Sequence, residues 1–148
     1  MQWFDGGIGK SAKLSEANWL TTLPTGVIHA DIFPANVFFD RGRLSGIMDF
    51  YFACNDTVAY DIAICLNAWC FGKDGRFNFT KARLFLGANS RVRELNTNEL
   101  AALPLLARGT EMRFFLTRLF DWLTPQDNAL VFRKDPLDYL KIEGFTPI

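Results

Sequence analysis

The sequence has no excess of charge of either sign, because its 16 basic side chains are balanced by 16 acidic ones. Proteins that are drawn to a nucleic acid or to an anionic membrane by their overall field carry a net positive charge. The sequence therefore predicts neither kind of partner and favours small molecules instead.

Long hydrophobic runs are also missing. The richest apolar stretch, residues 59–71, is interrupted by Asp61 and falls short of the roughly 18 residues that a membrane-spanning helix needs. The first ten residues carry Asp5 where a signal peptide would have a basic segment followed by an apolar one. We expect neither export nor a membrane span.

Cysteine is scarce, and its three positions form neither an even set for disulfides nor a CxxC pair. Cys54, Cys65 and Cys70 all lie among apolar residues. We interpret them as reduced thiols in the core of a cytoplasmic protein.

Apolar and aromatic residues, in contrast, are plentiful. Hydrophobic residues make up 49% of the 148 residues, and they include 15 phenylalanines and 4 tryptophans. This is sufficient for one compact core, whereas the chain is too short for two domains of ordinary size. We expect a single domain over residues 1–148, in which residues 1–22 are a poorly defined lead-in.

The residue pattern predicts an α+β arrangement in which a small β-hairpin is followed by helices. Short β-prone runs lie at residues 27–28, 37–39 and 44–50, and the last two flank a glycine-containing turn. Helical patterns follow at residues 58–71, 80–92, 96–103 and 105–123, and a short last helix is expected from Pro136.

One stretch combines chemically active residues at a specific spacing. His29, Asp31 and Asn36 form the pattern H-x-D-x-x-x-x-N, and Asp49 follows at the end of the next β-prone run. This is the spacing of a kinase catalytic loop, after which a magnesium-binding Asp-Phe pair ends a strand.

Hairpin geometry gives this spacing a physical reason. If Asp40 faces Arg43 across the turn, Asn36 lies opposite Ile47, and Asp49 reaches the same open end of the hairpin. The backbones of Asn36 and Asp49 would then be roughly 8 Å apart. Two side chains can close that gap around Mg²⁺, which prefers oxygen ligands and keeps several waters.

The sequence resembles a known family over roughly residues 24–140. The resemblance is carried by segments 24–34 (PTGVIHADIFP), 47–54 (IMDFYFAC) and 59–70 (AYDIAICLNAWC), and it continues through 106–109 (LARG) and 116–122 (LTRLFDW). In these segments the chain is similar to the homoserine kinases of the aminoglycoside phosphotransferase type, which have a protein-kinase-like fold.

The resemblance implies that residues 23–148 are a mainly helical C-terminal catalytic lobe. Its activity would be the ATP-dependent and Mg²⁺-dependent phosphorylation of the hydroxyl of L-homoserine, a step of threonine biosynthesis. Asp31 would be the catalytic base, Asn36 and Asp49 the metal ligands, and His29 a support of the loop.

Two departures from the family pattern stand out. Ala30 occupies a position where the wider group usually has glycine. In addition, few residues precede His29, so the lysine and the phosphate-covering loop of a nucleotide-binding lobe have no counterpart, and residues 6–10 fail the phosphate-loop spacing. We therefore expect the N-terminal lobe to be missing or to be supplied separately.

Three further residues are candidates with weaker signals. His29, the only histidine, is interpreted as an anchor of the loop, and Asp61, in an apolar helix, as an acceptor of backbone hydrogen bonds from that loop. Arg113 is the candidate for binding the substrate carboxylate, although Arg108 and Arg118 compete for that role. Trp69 is interpreted as part of the core rather than of a substrate pocket.

Two other functions stay open at this point. Without the nucleotide-binding lobe, the chain could be a catalytically silent binding module. It could also be another small-molecule kinase of the same superfamily, such as a choline or aminoglycoside kinase, because the metal site would be shared.

Overall fold

The computed structural model describes residues 23–72 and 74–124 of the chain. The lead-in at residues 1–22 and the short helix expected from Pro136 lie outside the described residues. Within the described part, four β-strands are followed by three α-helices. The α+β class expected from the sequence is confirmed.

The strands form two separate antiparallel pairs. Strands β1 (Thr25–Ile28) and β4 (Cys54–Thr57) make one pair, and β2 (Val37–Asp40) and β3 (Arg43–Ile47) make the hairpin expected from the sequence. At the tip of the hairpin, Arg41 and Gly42 both have positive φ, of 47° and 76°. Two successive left-handed residues characterise the tight turn that matches the twist of a two-stranded hairpin.

The predicted register of the hairpin is wrong at its open end. Asp40 pairs with Arg43 as expected, but the register shifts between Phe38 and Phe39, so that Val37 pairs with Ile47. The backbone carbonyl of Asn36 consequently accepts a hydrogen bond from the N–H of Met48, at 2.9 Å, and Asn36 does not face Ile47. At this point β3 has one residue more than β2, which is the pattern of a β-bulge.

Strand β4 was not predicted from the sequence. It contains Asn55 and Asp56, two residue types that are unfavourable in strands. The segment is extended because it pairs with β1 in full register, from Thr25 with Thr57 to Ile28 with Cys54. Partner strands therefore override the local preference here.

The three helices are α1 (Val58–Trp69), α2 (Phe79–Ser90) and α3 (Thr97–Leu123). Helix α1 ends two residues earlier than expected. The two helices predicted at residues 96–103 and 105–123 are one continuous helix that contains Pro104. Asn96 and Glu99 exchange hydrogen bonds at the start of α3 and form a capping box.

Helix α1 lies in the core, where it packs against α3 and β1. The amide of Asn67, which is buried between the helices, donates to the carbonyl of Ala107 and to the hydroxyl of Thr110. The core contains these buried apolar residues: Ile28, Ala59, Ala63, Ile64, Leu66, Ala102, Leu103, Leu106, Ala107 and Phe114. In the ranges 23–72 and 74–124, no helix has the length and apolar character to cross a membrane.

Candidate active site

The segment between β1 and the hairpin, residues 29–33, is called the His29 loop below. Its first two backbone N–H groups, those of His29 and Ala30, each donate to one carboxylate oxygen of Asp61, both at 2.8 Å. Asp61 lies in the first turn of α1. A carboxylate that accepts two backbone donors fixes the start of the loop against that helix. The hydrogen bonds expected of Asp61 are present.

His29 connects the loop to the segment that follows the hairpin. Its Nδ1 accepts the backbone N–H of Asp31 at 3.2 Å, and its Nε2 lies 2.9 Å from the carbonyl oxygen of Met48. An acceptor at Nδ1 and a donor at Nε2 define one neutral tautomer. The ring is 6% exposed and packs against Phe50, with ring centroids 4.5 Å apart. The imidazole therefore has both nitrogens engaged in holding the backbone.

Two side chains from distant parts of the chain hold carbonyl groups of the same loop. Arg113 of α3 donates to the carbonyl of Ala30 at 2.9 Å, and Trp69 of α1 donates to the carbonyl of Ile32 at 2.9 Å. The guanidinium of Arg113 also lies over the rings of Phe52 and Phe114. Such stacking limits the positions that the guanidinium can take.

Asp31 and Asn36 are in direct contact. The side-chain amide nitrogen of Asn36 lies 2.9 Å from the backbone oxygen of Asp31 and 2.9 Å from its Oδ2. Burial raises the pKa of the Asp31 carboxyl above its ordinary value, and the charge of Asp49 adds to this rise. The hydrogen bond from Asn36 and the charge of Arg113 act in the opposite direction and reduce the rise.

Asp49 follows the hairpin and is exposed. Its backbone has a φ of 64°, in the left-handed region, and it precedes the short 3₁₀ turn Phe50–Phe52. The residue before it, Met48, donates its backbone N–H to the carbonyl of Asn36 at 2.9 Å. The sequence-predicted residues Asp31 and Asn36 are thus in contact, and Asp49 follows the residue that bonds to Asn36 at the open end of the hairpin.

The oxygen atoms at this place are suitable for a hard cation. Asn36 directs its amide nitrogen towards Asp31, which leaves its Oδ1 as an oxygen ligand beside Asp49. Among the residues that the structure describes, no group of three or more His, Cys, Asp or Glu side chains could hold a metal ion. Mg²⁺ is typically held by one or two protein carboxylates together with waters and phosphate oxygens, so this sparse donor set fits it.

The structure adds contacts of Arg113 and Trp69 that the sequence-based interpretation did not include. Arg113 reaches the His29 loop through a backbone carbonyl, while Arg108 lies near Glu111 and lowers its pKa. Trp69 is half buried and packs against the core, as its sequence-based interpretation expected. Its indole N–H also donates a hydrogen bond to the His29 loop, a contact that this interpretation did not include. In the sequence, the one signal for this contact was the indole N–H of tryptophan, which donates a hydrogen bond and accepts none.

Comparison with known proteins places these residues in a family. The family model described as "Phosphotransferase enzyme family" matches residues 10–95, which is more than half of the chain. This range includes the His29 loop, the hairpin and Asp61.

Curated relatives share a large part of the sequence. The chain is 63% identical over 125 residues to a protein named "Homoserine kinase" from Sinorhizobium medicae, a match that covers 84% of this chain and 38% of that protein. It is 62% identical to the protein of the same name from Rhizobium meliloti, with the same coverage.

A third relative, the protein named "Homoserine kinase" from Paramagnetospirillum magneticum, is 61% identical over 132 residues, with 85% of this chain and 40% of that protein covered. The chain spans about two fifths of the length of the curated relatives that it matches. The match to the family model shows that the chain belongs to the phosphotransferase enzyme family.

Proposed function

We propose that this chain forms the catalytic lobe of an enzyme that transfers the γ-phosphoryl group of ATP to the hydroxyl of L-homoserine. The observation that carries the proposal is the hydrogen bond from the amide of Asn36 to the carboxyl of Asp31, which supports the assignment of a base beside a metal ligand. The family match and the names of the relatives supply the reaction class and the acceptor.

In this proposal Asp31 is the general base. The hydroxyl oxygen of the substrate forms a bond to the γ-phosphorus, the bond from that phosphorus to the ADP oxygen breaks, and the hydroxyl proton passes to Asp31. The upward shift of the Asp31 pKa supports the role, because a more basic carboxylate accepts a proton more readily. Asp61 and His29 contribute by holding the loop that carries Asp31.

Asn36 and Asp49 would hold the metal ion. When bound, Mg²⁺ neutralises charge on the phosphate oxygens and orients ATP. The amide of Asn36 serves two purposes in this arrangement, since its nitrogen orients Asp31 while its oxygen is left for the cation.

Arg113 is the proposed recognition element for the α-carboxylate of L-homoserine. One of its N–H groups is engaged by the carbonyl of Ala30, and the planar guanidinium has further donors for a carboxylate. Its contacts with Phe52 and Phe114 hold it in one orientation, which reduces the entropy lost when substrate binds.

A nucleotide-binding lobe is the proposed partner of this chain. Several apolar side chains on the hairpin and the following turn are exposed, and a packed second lobe would cover them. They are Phe38, Phe39, Leu44, Met48, Phe50 and Tyr51. The three cysteines are all free, which supports a reducing compartment, and the proposed location of the reaction is the cytoplasm.

The proposal is tested by measuring ADP release in the presence of Mg²⁺ and ATP, with L-homoserine, choline or an aminoglycoside as acceptor. The assay uses this chain alone and joined to the remaining part of one relative. We expect turnover with L-homoserine, reduced by about 10²–10⁴-fold in Asp31→Asn. Asp40→Asn, the same change at the exposed hairpin turn, should leave the rate unchanged. Equal rates with all three acceptors would remove the assignment to homoserine.

A second candidate function is that of a catalytically silent binding module. The observation in its favour is the exposed apolar surface of Phe38, Phe39, Leu44, Phe50 and Tyr51, which a binding partner would cover. Titration calorimetry of this chain with Mg-ATP separates the two. Binding together with slow turnover that Asp31→Asn abolishes rejects the silent module, whereas absence of turnover in both forms of the assay supports it.

A further inference from the structure

Side chains bind most of the backbone polar groups of the His29 loop, and the loop also has two backbone hydrogen bonds, from the N–H of Phe33 to the carbonyl of Asp31 and from the N–H of Asn36 to the carbonyl of Phe33. The N–H groups of residues 29 and 30 bond to Asp61, and the N–H of Asp31 bonds to His29. The carbonyls of residues 30, 31 and 32 accept from Arg113, Asn36 and Trp69. Because neither a sheet nor a helix fixes this backbone, its shape depends on these individual contacts.

Helix α1 supplies the contacts at both ends of this stretch. Asp61 lies in its first turn, and Trp69 is its last residue. The two positions are eight residues apart, which corresponds to about 12 Å along a helix. A rigid helix thus holds the loop before Asp31 through Asp61 and after Asp31 through Trp69.

Trp69 also contacts the hairpin that carries the metal ligands. Its ring packs edge-on against Phe39 of β2, with centroids 6.3 Å apart, while its Nε1 donates to Ile32. Asn36 lies between these two contact points in the sequence. Trp69 is therefore in contact with the loop that carries Asp31 and with the strand that follows Asn36.

We propose that Trp69 is a positioning residue, whose indole N–H fixes the Ile32 carbonyl and thereby the direction of the Asp31 carboxyl. The inference rests on the proposed phosphoryl transfer. The alternative is that Trp69 only fills space, in which case a phenylalanine ring could replace it. Removal of the indole N–H distinguishes the positioning role from the space-filling role, because this N–H is the one polar group of the side chain.

Trp69→Phe tests this inference, since it keeps an aromatic ring and removes the donor. Two readouts are used: hydrogen exchange at the backbone amides of Phe33 and Asn36, and kcat and KM for L-homoserine. We expect exchange at these amides to become about tenfold faster and kcat to fall about tenfold, as the loss of one hydrogen bond allows. KM and the exchange of the Ile64 amide inside α1 should change less than about twofold.

Three further variants make the result specific. Trp122→Phe is the same change at a half-exposed tryptophan of α3 and should reproduce the wild type. Phe39→Leu removes the ring partner but keeps the indole N–H, so its loop amides should exchange nearly as in the wild type. Trp69→Tyr provides a second variant without the indole donor, should Trp69→Phe fold poorly.

Wild-type exchange at the Phe33 and Asn36 amides in both Trp69 variants would overturn the inference. A fall in kcat that is matched by equally faster exchange throughout α1 would also overturn it, because the effect would then be general destabilisation. If the wild type shows no turnover with any acceptor, the proposed kinase function fails, and the exchange data alone still decide whether the Trp69 donor orders the loop.

Discussion

The side-chain amide nitrogen of Asn36 lies 2.9 Å from Oδ2 of Asp31, and the same nitrogen lies 2.9 Å from the Asp31 backbone oxygen. Asn36 therefore acts as a donor towards Asp31. An aspartate at this position would bind a cation at least as well, but it could not donate. The contact explains why an amide, and not a second carboxylate, is suitable at this place.

Asn36→Asp should destabilise the protein, because it removes two hydrogen bonds and places a carboxylate beside Asp31 and near Asp49. We expect a loss of about 2 kcal/mol in the free energy of unfolding at pH 8, measured with urea. The loss should shrink at pH 4, where the close carboxyls share protons, and it should shrink on adding Mg²⁺. Asn78→Asp is the matched control, since Asp caps a helix as well as Asn does. Equal losses at both pH values would contradict the prediction.

Asp61→Asn should also lower stability. An amide offers one acceptor oxygen where the carboxylate now receives the N–H groups of His29 and Ala30, so one buried donor loses its partner. Hydrogen bonds to a charged group contribute about 1.5–3 kcal/mol, and we expect a loss of about 2 kcal/mol in urea unfolding. Asp74→Asn, at an exposed carboxylate that accepts from Arg76, should stay within about 0.5 kcal/mol. A similar loss in both variants would show that the buried donors do not matter.

The parts of the site that could be predicted from sequence are the local ones. His29, Asp31 and Asn36 lie in one short segment between β1 and β2, so their spacing is visible in the sequence. The turn at Gly42 is also predictable, because glycine favours the positive φ that a tight hairpin turn needs. The register at Asn36 could not be predicted, because a shift between Phe38 and Phe39 depends on how the finished hairpin packs.

Long-range contacts account for what the sequence did not reveal. The bonds of Trp69 to Ile32 and of Arg113 to Ala30 join residues 37 and 83 positions apart. Residue patterns report periodicity along one element, whereas these bonds depend on the packing of α1 and α3 against the loop. Pairing with β1 likewise made residues 54–57 extended although their composition favours a turn.

Ala30 has a backbone φ of 62° and a side chain that is 3% exposed. The left-handed conformation costs a non-glycine residue about 1–2 kcal/mol, which agrees with the glycine usual at this position in the wider group. Ala30→Gly relieves this cost, but it removes a buried methyl group and increases the entropy of the unfolded chain. Because these effects oppose each other, its free energy of unfolding should stay within about 1 kcal/mol of the wild-type value. Ala30→Val should lose at least about 3 kcal/mol in urea unfolding, because a branched side chain fits neither the conformation nor the space.

Ala53→Val is the control for this pair of variants. Ala53 is exposed and has a φ of −58°, which a branched residue tolerates, so its stability should be close to that of the wild type. A mild effect of Ala30→Val would mean that the loop changes its backbone conformation at little cost.

The three cysteines should differ sharply in reactivity. Cys65 and Cys70 are buried as expected, but the core position expected for Cys54 is wrong, because Cys54 is exposed on β4. Burial, together with the nearby charge of Asp61 and the neighbouring Cys70, raises the pKa of Cys65 to about 12, and burial also raises that of Cys70. Since the thiolate is the reactive form, a thiol reagent at pH 8 should label one cysteine in the native protein and three in urea. Cys54→Ser should abolish the native reaction; a second thiol that reacts in the folded protein would contradict this.

The last prediction concerns Glu111, a partly buried residue of α3. Burial raises its pKa from 4.5 to about 7, an effect that the charge of Arg108 reduces, and its Oε1 is buried without a hydrogen-bond partner among the described residues. The native state therefore keeps the proton to a higher pH than the unfolded state does. Stability should fall as the pH rises from about 4.5 to about 7 and level off above that range, because the unfolded state ionises first.

Glu111→Gln removes this titration, so its stability relative to the wild type should depend on pH. The free energy of unfolding of the variant should rise by roughly 1 kcal/mol relative to the wild type between pH 4 and pH 8. The difference is modest because water still solvates the exposed part of the side chain. Urea unfolding at a series of pH values gives the free energy of unfolding of both proteins. Groups that titrate in both proteins contribute equally, so they cancel in the difference. Glu94→Gln, at an exposed glutamate, should run parallel to the wild type. If the Glu111→Gln curve also runs parallel, Glu111 is ionised in the folded protein at the same pH as in the unfolded chain, and the packing of α3 does not shield it from water.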